Sequence, residues 1–163
     1  ECGRPEMSAL LEGIRQNDFV VVGRAGIDFF TDAGVALEDA DRVSVGLGGS
    51  AANTAAGICR FGGKAALVTC VSDDSIGSYC VGQLRRYGVD PTHVRAVGGE
   101  FRNSLAVYES RVENHRNVIY RNGAADFEIS IEACGEDITL LARCPKTIVL
   151  KNGITEISRK ENI

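Results

Sequence analysis

The chain has 163 residues, of which 44% are apolar and 25% charged, with a formal net charge of -4. That balance excludes a disordered chain, and the acidic total with scattered basic residues excludes a nucleic-acid-binding surface. No apolar run approaches membrane-spanning length, so partners in or on a bilayer are not expected.

The chain opens at Glu1 without an initiator methionine, so a fragment or a processed product is expected. Residues 1–17 are polar apart from a short amphipathic patch at 7–14 and lack the layout of a signal peptide, which makes them a peripheral extension. The first strong signal is Phe19-Val20-Val21-Val22 closed by Gly23, a continuous β-branched run of the kind found in strands buried on both faces. Arg24-Ala25-Gly26-Ile27-Asp28 follows directly, where ligands gather at the carboxyl ends of strands in an open α/β sheet. A carboxylate there can accept hydrogen bonds from two neighbouring hydroxyls; an exposed loop aspartate is the ordinary alternative. Residues 31–41 read as irregular and acidic, and 42–45 as a short, half-exposed strand.

Leu47-Gly48-Gly49-Ser50-Ala51-Ala52-Asn53 reads as a glycine loop opening into a helix capped by Ser50. The free N–H groups and positive dipole end of such a helix, with the Asn53 amide in its first turn, suit a polyhydroxylated or anionic small molecule. A merely structural tight turn is the plain alternative. Gly46-x-Gly48-x-x-Ala51, with Asp73 or Asp74 downstream, also fits a loose dinucleotide-binding fingerprint, although the strand before it is short and polar for that role. The helix is expected to end at Gly62-Gly63, and residues 65–71 form the next buried strand. Ser75 then caps a second helix, with Ile76, Tyr79, Cys80, Leu84 and Tyr87 at helical spacing and Gly88 as its stop. Alternating strands and helices imply right-handed parallel crossovers and an α/β class.

Residues 95–97, 104–110 and 117–121 alternate like half-exposed strands, with a turn at 112–116, and suggest a separate small sheet that serves as a lid or a dimer surface. Arg121, at the end of the last of these, could offer a guanidinium to a carboxylate or phosphate, or simply be a solvated edge residue. Residues 126–143 read as helical with a break at Gly135, 147–150 as another buried strand, and 151–163 as a polar tail. His93 and His115 have no partner at catalytic spacing. The six cysteines form no Cys-x-x-Cys pair, and three lie inside apolar patterns, so reduced buried thiols in a cytoplasmic setting are expected, with no metal site.

Taken together, Gly23-x-x-x-x-Asp28, Gly48-Gly49-Ser50-Ala51-Ala52-Asn53-x-Ala55, Val71-Ser72-Asp73-Asp74-Ser75-Ile76-Gly77 and Tyr87-Gly88-Val89-Asp90 resemble, in order, the N-terminal signature of the ribokinase-like carbohydrate kinases, the PfkB family. Ser72 departs from it, standing where glycine is usual. The stretches 23–28 and 120–126 look most like members that phosphorylate the sugar acid 5-dehydro-2-deoxygluconate in inositol breakdown. The resemblance implies a partial ribokinase-like fold over residues 18–150, a mostly parallel sheet flanked by helices with a small β lid at about 31–46 and 95–121. It implies that Asp28 and Asn53 hold substrate hydroxyls, that Gly48 and Gly49 give close backbone contact, and that Arg24 and Arg121 meet the substrate carboxylate. ATP and Mg2+ are implied for the intact enzyme, but no nucleotide site or catalytic aspartate is evident here, and Asp126 in Gly123-Ala124-Ala125-Asp126 is not taken as the base. The expectation is a sugar-kinase fragment, itself inactive, with a small-molecule partner and a possible homodimer through the lid. An inactive binding or oligomerisation module and a dinucleotide-binding oxidoreductase domain are the alternatives.

Overall fold

The computed structural model describes residues 17–111 and 113–129, together with the backbone of strands at 147–151 and 154–158. Two sheets share one joint. The larger contains β1 (Phe19–Gly23), β4 (Ala65–Ser72), β5 (Val94–Val97), β8 (Thr147–Lys151) and β9 (Ile154–Ser158), in the order β5-β4-β1-β8-β9. The smaller contains β2 (Gly26–Thr31), β3 (Val43–Gly48), β6 (Leu105–Tyr108) and β7 (Asn117–Tyr120), in the order β3-β2-β6-β7.

The buried runs behave as their composition requires. In β1, Val20 and Val21 are fully enclosed, and β4 is buried along its whole length, with parallel partners on both sides. Helix α1 (Ser50–Arg60) turns Ala51, Ala52, Ala55 and Ala56 onto this sheet, and these small side chains let the helix axis approach closely. Helix α2 (Ser75–Arg86) buries Gly77, Cys80 and Leu84. Both helices end in the same glycine device. Gly62 (φ 85°) and Gly88 (φ 79°) take the left-handed conformation after the C-cap, and the next residues donate back to Ile58 O and Leu84 O, each at 3.0 Å.

Both expected N-caps shift by one residue. Gly49 (φ 100°) precedes α1 and Ser50 is already helical, so Ser50 makes no side-chain cap. Asp74, not Ser75, caps α2: its Oδ1 accepts from Ile76 N–H at 2.9 Å and Gly77 N–H at 3.0 Å. Aspartate wins because a carboxylate accepts both orphan N–H groups and complements the dipole.

Three strands differ from the sequence reading. Residues 26–31, treated as a post-strand segment, form β2, the central partner of both β3 and β6. The 95–97 stretch belongs to the main sheet and not to the lid, since β5 pairs parallel with β4 (Cys70 opposite Arg95) and closes the β4–α2–β5 crossover. Its half-exposed alternation is that of an edge strand. Within the 151–163 tail, β9 pairs antiparallel with β8 from Thr147–Ser158 to Lys151–Ile154. The extension at 1–16 and most of the helix expected at 126–143 lie outside the described residues; Ala125–Glu128 forms a 3-10 turn.

The small sheet is pinned at its far end by Glu109. This carboxylate accepts from Leu37 N–H (3.1 Å) and Arg116 N–H (2.9 Å) and pairs with Arg111 at 2.8 Å. The Leu37 amide, helped by those of Arg116 and the Arg111 side chain against the cost of burial, holds its pKa at about 2, well below the ordinary 4.5. A carboxylate depressed on folding stabilises above its unfolded pKa and loses that contribution as pH falls. The melting temperature is therefore expected to drop between about pH 4.5 and pH 2, and Glu109→Gln to flatten that acid limb in a pH series of thermal melts.

Candidate active site

The joint between the sheets is built from backbone that only small residues permit. β1 ends at Gly23 (φ 145°), and Arg24 and Ala25 lead straight into β2. Across from them, β3 runs through Gly48 and turns into α1 at the single residue Gly49, so the expected glycine loop is mostly strand. A Cβ on Gly49 would lie 2.9 Å from the Arg24 carbonyl carbon and 3.0 Å from Ala25 Cα. The Arg24 carbonyl accepts the Ala52 N–H at 3.2 Å, tying the first turn of α1 to the end of β1.

The register of the small sheet sets which residues share a face. Asp28 pairs with Gly46 on one side and Ala106 on the other, and Ala106 pairs with Ile119, so these four lie in one row on one face. The β2 side chains of that face lean over side-chain-free β3: Phe30 lies above Gly46, and the Asp28 carboxylate sits where a Gly48 Cβ would be. The glycines thus leave a trough that Asp28 enters. Burial raises the Asp28 pKa, and the nearby positive charge of Arg24 only partly opposes this. Among the described residues the Asp28 carboxylate accepts no side-chain hydrogen bond, and the Arg24 guanidinium and Asn53 amide make none, so all three side chains keep hydrogen-bonding capacity for a ligand.

Arg24, Asp28, Gly48 and Gly49 therefore meet at one place. Asn53 stands on the exposed side of the same first helical turn, with its N–H bonded to Gly49 O at 2.9 Å. Arg121 follows β7 directly, one residue beyond the Leu105–Tyr120 pair that ends the β6–β7 ladder. Its guanidinium is paired with buried Asp126 and stacks 4.6 Å from the Phe127 ring.

Several residues escaped the sequence reading. Asn103, an isolated polar residue before β6, accepts Ser72 N–H at 2.6 Å and donates to Cys80 Sγ at 3.1 Å, while Cys80 Sγ donates to Gly26 O at 3.3 Å. These bonds lock the lid to the main sheet, and burial pushes the Cys80 thiol up to about 12, so it is an inert donor. Ser72, the departure from the family signature, donates to Asp74 at 2.7 Å and so braces the α2 cap. Asp74 is thereby engaged as a helix cap, and β3 is an edge strand of the small sheet; neither has the place a dinucleotide fingerprint requires. Cys59, Cys70 and Cys80 are free thiols, and among the described residues no helix is long and apolar enough to cross a membrane.

A parallel sheet whose strand ends adjoin a four-stranded lid carrying an aspartate, facing a helix entered through a double glycine, is the ribokinase-like architecture. The model of the pfkB family carbohydrate kinases matches residues 16–142, and the chain belongs to that family. Two curated relatives carry the name 5-dehydro-2-deoxygluconokinase. That of Photobacterium profundum is 30% identical over 152 residues, covering 93% of this chain and 45% of the relative. That of Clostridium perfringens is 35% identical over 130 residues, covering 76% and 37%. The chain thus spans less than half the length of these relatives. Among solved structures, the 2-dehydro-3-deoxygluconokinase of Thermotoga maritima superposes with a TM-score of 0.71 at 22% identity, over 80% of this chain and 40% of that one. An uncharacterized sugar kinase from Pyrococcus horikoshii in complex with ATP gives 0.66 at 22%, over 74% and 39%.

Proposed function

We propose that this chain is the sugar-binding part of a kinase that transfers the γ-phosphoryl group of ATP to a hydroxyl of a sugar acid, with 5-dehydro-2-deoxygluconate as the substrate. The observation that carries the reading is Asp28: a half-buried carboxylate without a donor from any described residue, held against Gly48 beside the positive charge of Arg24. Such a group is incompletely solvated and has accepting capacity the fold leaves unused, and vicinal hydroxyls can occupy it in one fixed geometry. Asn53 adds an amide for a further hydroxyl, Gly48 and Gly49 allow close backbone approach, and Arg24 and Arg121 supply guanidinium groups to a carboxylate. The relatives' names agree with an acidic sugar.

ATP and Mg2+ belong to the reading through the family. Among the described residues no three His, Cys, Asp or Glu side chains converge as metal ligands, so these residues do not fit a metal site and no step is assigned through one. The residues of this chain bind and orient the acceptor; the base that takes its proton is not assigned to any of them. The setting is cytoplasmic, and a homodimer through the lid is favoured by the opposite face of the small sheet, where Val43, Val45, Val118 and Tyr120 are 37 to 63% exposed. The test is direct. Calorimetry should show 5-dehydro-2-deoxygluconate binding to this chain, and a coupled ADP assay should show no ATP-dependent turnover by it. Absence of sugar-acid binding would sink the site, and turnover would sink the assignment of a binding part alone.

A further inference from the structure

The Asp126 carboxylate is almost fully enclosed, its side chain 1% exposed, although it closely follows the edge strand β7, whose four residues are all exposed. Its Oδ2 alone accepts from Arg121, from Nε at 3.1 Å and also from Nη2, whereas its Oδ1 is buried with no hydrogen-bond partner among the described residues. A carboxylate placed for stability would be expected to satisfy both oxygens, because an orphaned buried acceptor is costly. The next residue, Phe127, lies under the guanidinium plane at 4.6 Å. Consecutive residues thus hold one edge and one face of the same cation. The turn that presents them is closed by backbone hydrogen bonds. Ala124 N–H donates to Arg121 O, Ala125 N–H to Arg102 O at 2.8 Å and Phe127 N–H to Ala124 O at 3.0 Å, with Gly123 at φ 61°.

We propose that Asp126 is a positioning residue for Arg121, fixing the plane and location of its guanidinium at the end of β7 so that a substrate carboxylate meets a cation already ordered. This rests on the reading of Arg121 as a carboxylate ligand. Arginine has among the largest side-chain freedoms to lose, and ordering it before the ligand arrives removes that cost from binding. Phe127, itself 55% exposed, contributes through its ring face and not through the core.

The experiment compares two probes by calorimetry: 5-dehydro-2-deoxygluconate and the same sugar with its carboxylate reduced to an alcohol. Asp126→Asn is expected to weaken the acid about tenfold and leave the alcohol unchanged, and Arg121→Ala to weaken the acid about a hundredfold. Independently of any ligand, the Arg121 Nε–H should exchange with solvent at least about tenfold faster in Asp126→Asn, as expected for a lost charge-assisted bond. If Arg121→Ala weakens the acid while Asp126→Asn leaves it unchanged or tightens it, Asp126 is a bystander or a competitor for Arg121, and the proposal fails with the Arg121 reading intact. If Arg121→Ala changes nothing, or the wild type does not bind the acid, that reading fails and this one with it. Should Asp126→Asn not fold, Phe127→Leu, altered at an exposed ring, is expected to weaken the acid about threefold, in keeping with an exposed cation–π contact; an unchanged affinity there overturns the clamp.

Discussion

Replacing Asp28 by asparagine is expected to lower sugar-acid affinity and at the same time raise thermal stability at neutral pH. Both effects follow from the same environment. Two hydroxyl donors to a carboxylate contribute about 1.5–3 kcal/mol each, so Asp28→Ala should weaken binding by about a hundredfold or more, and Asp28→Asn, which keeps one acceptor oxygen, by about tenfold. Without a ligand, burial raises the carboxyl pKa, opposed only in part by Arg24. A carboxyl whose folded pKa lies above its unfolded value binds more protons in the folded state across that interval, so its ionisation costs stability as pH rises through the interval. Asparagine carries no charge to desolvate, and the melting temperature of Asp28→Asn should exceed that of the wild type at pH 7, the difference vanishing in acid. A variant that binds the sugar acid as the wild type does would remove Asp28 from the site.

The second large effect is expected at Gly49. Alanine there must adopt φ 100°, and its Cβ would press against the Arg24 carbonyl group, which is backbone and cannot rotate aside. Left-handed strain and overpacking each cost about 1–3 kcal/mol, so Gly49→Ala should destabilise the chain by about 2–5 kcal/mol and pull α1 away from Arg24 and Asp28, with loss of sugar-acid binding. Gly57 supplies the contrast. It lies within α1 with open space around its Cα, and Gly57→Ala should stabilise by about 0.5–1 kcal/mol through helix propensity. Chemical denaturation of the two variants side by side decides the matter: equal midpoints would show that the joint is not tight.

The lid illustrates where a linear reading loses information. The strands at 105–108 and 117–120 announced themselves by alternation, yet β2, which organises the lid, did not. Its Ile27, Asp28, Phe29 and Phe30 alternate poorly because Ile27 is buried near the joint while Phe29 and Phe30 are only partly covered. Arg95 to Val97 looked like lid because an edge strand of a parallel sheet and a strand of a half-exposed sheet leave the same trace in sequence. Arg121 could be read as a cation near a ligand, but not as one gripped by Asp126 and Phe127.

The sequence by itself determined β1, β4 and β8 of the main sheet, the two helices, and the helix stops at Gly62 and Gly88, and it marked Asp28, Gly48, Gly49 and Asn53 as candidates. These are properties of local backbone preference and of side chains whose apolar periodicity is set by immediate neighbours. Only the tertiary structure decided that Asp28 lies on a strand above Gly48, that Asn103 and Cys80 fasten the lid, and that Asp126 answers Arg121. The first two depend on strand register and on contacts between distant segments, and the third on the turn at Gly123 that folds the chain back on itself. A shift of one residue in pairing would turn Asp28 to the other face of its sheet with no change in the sequence at all.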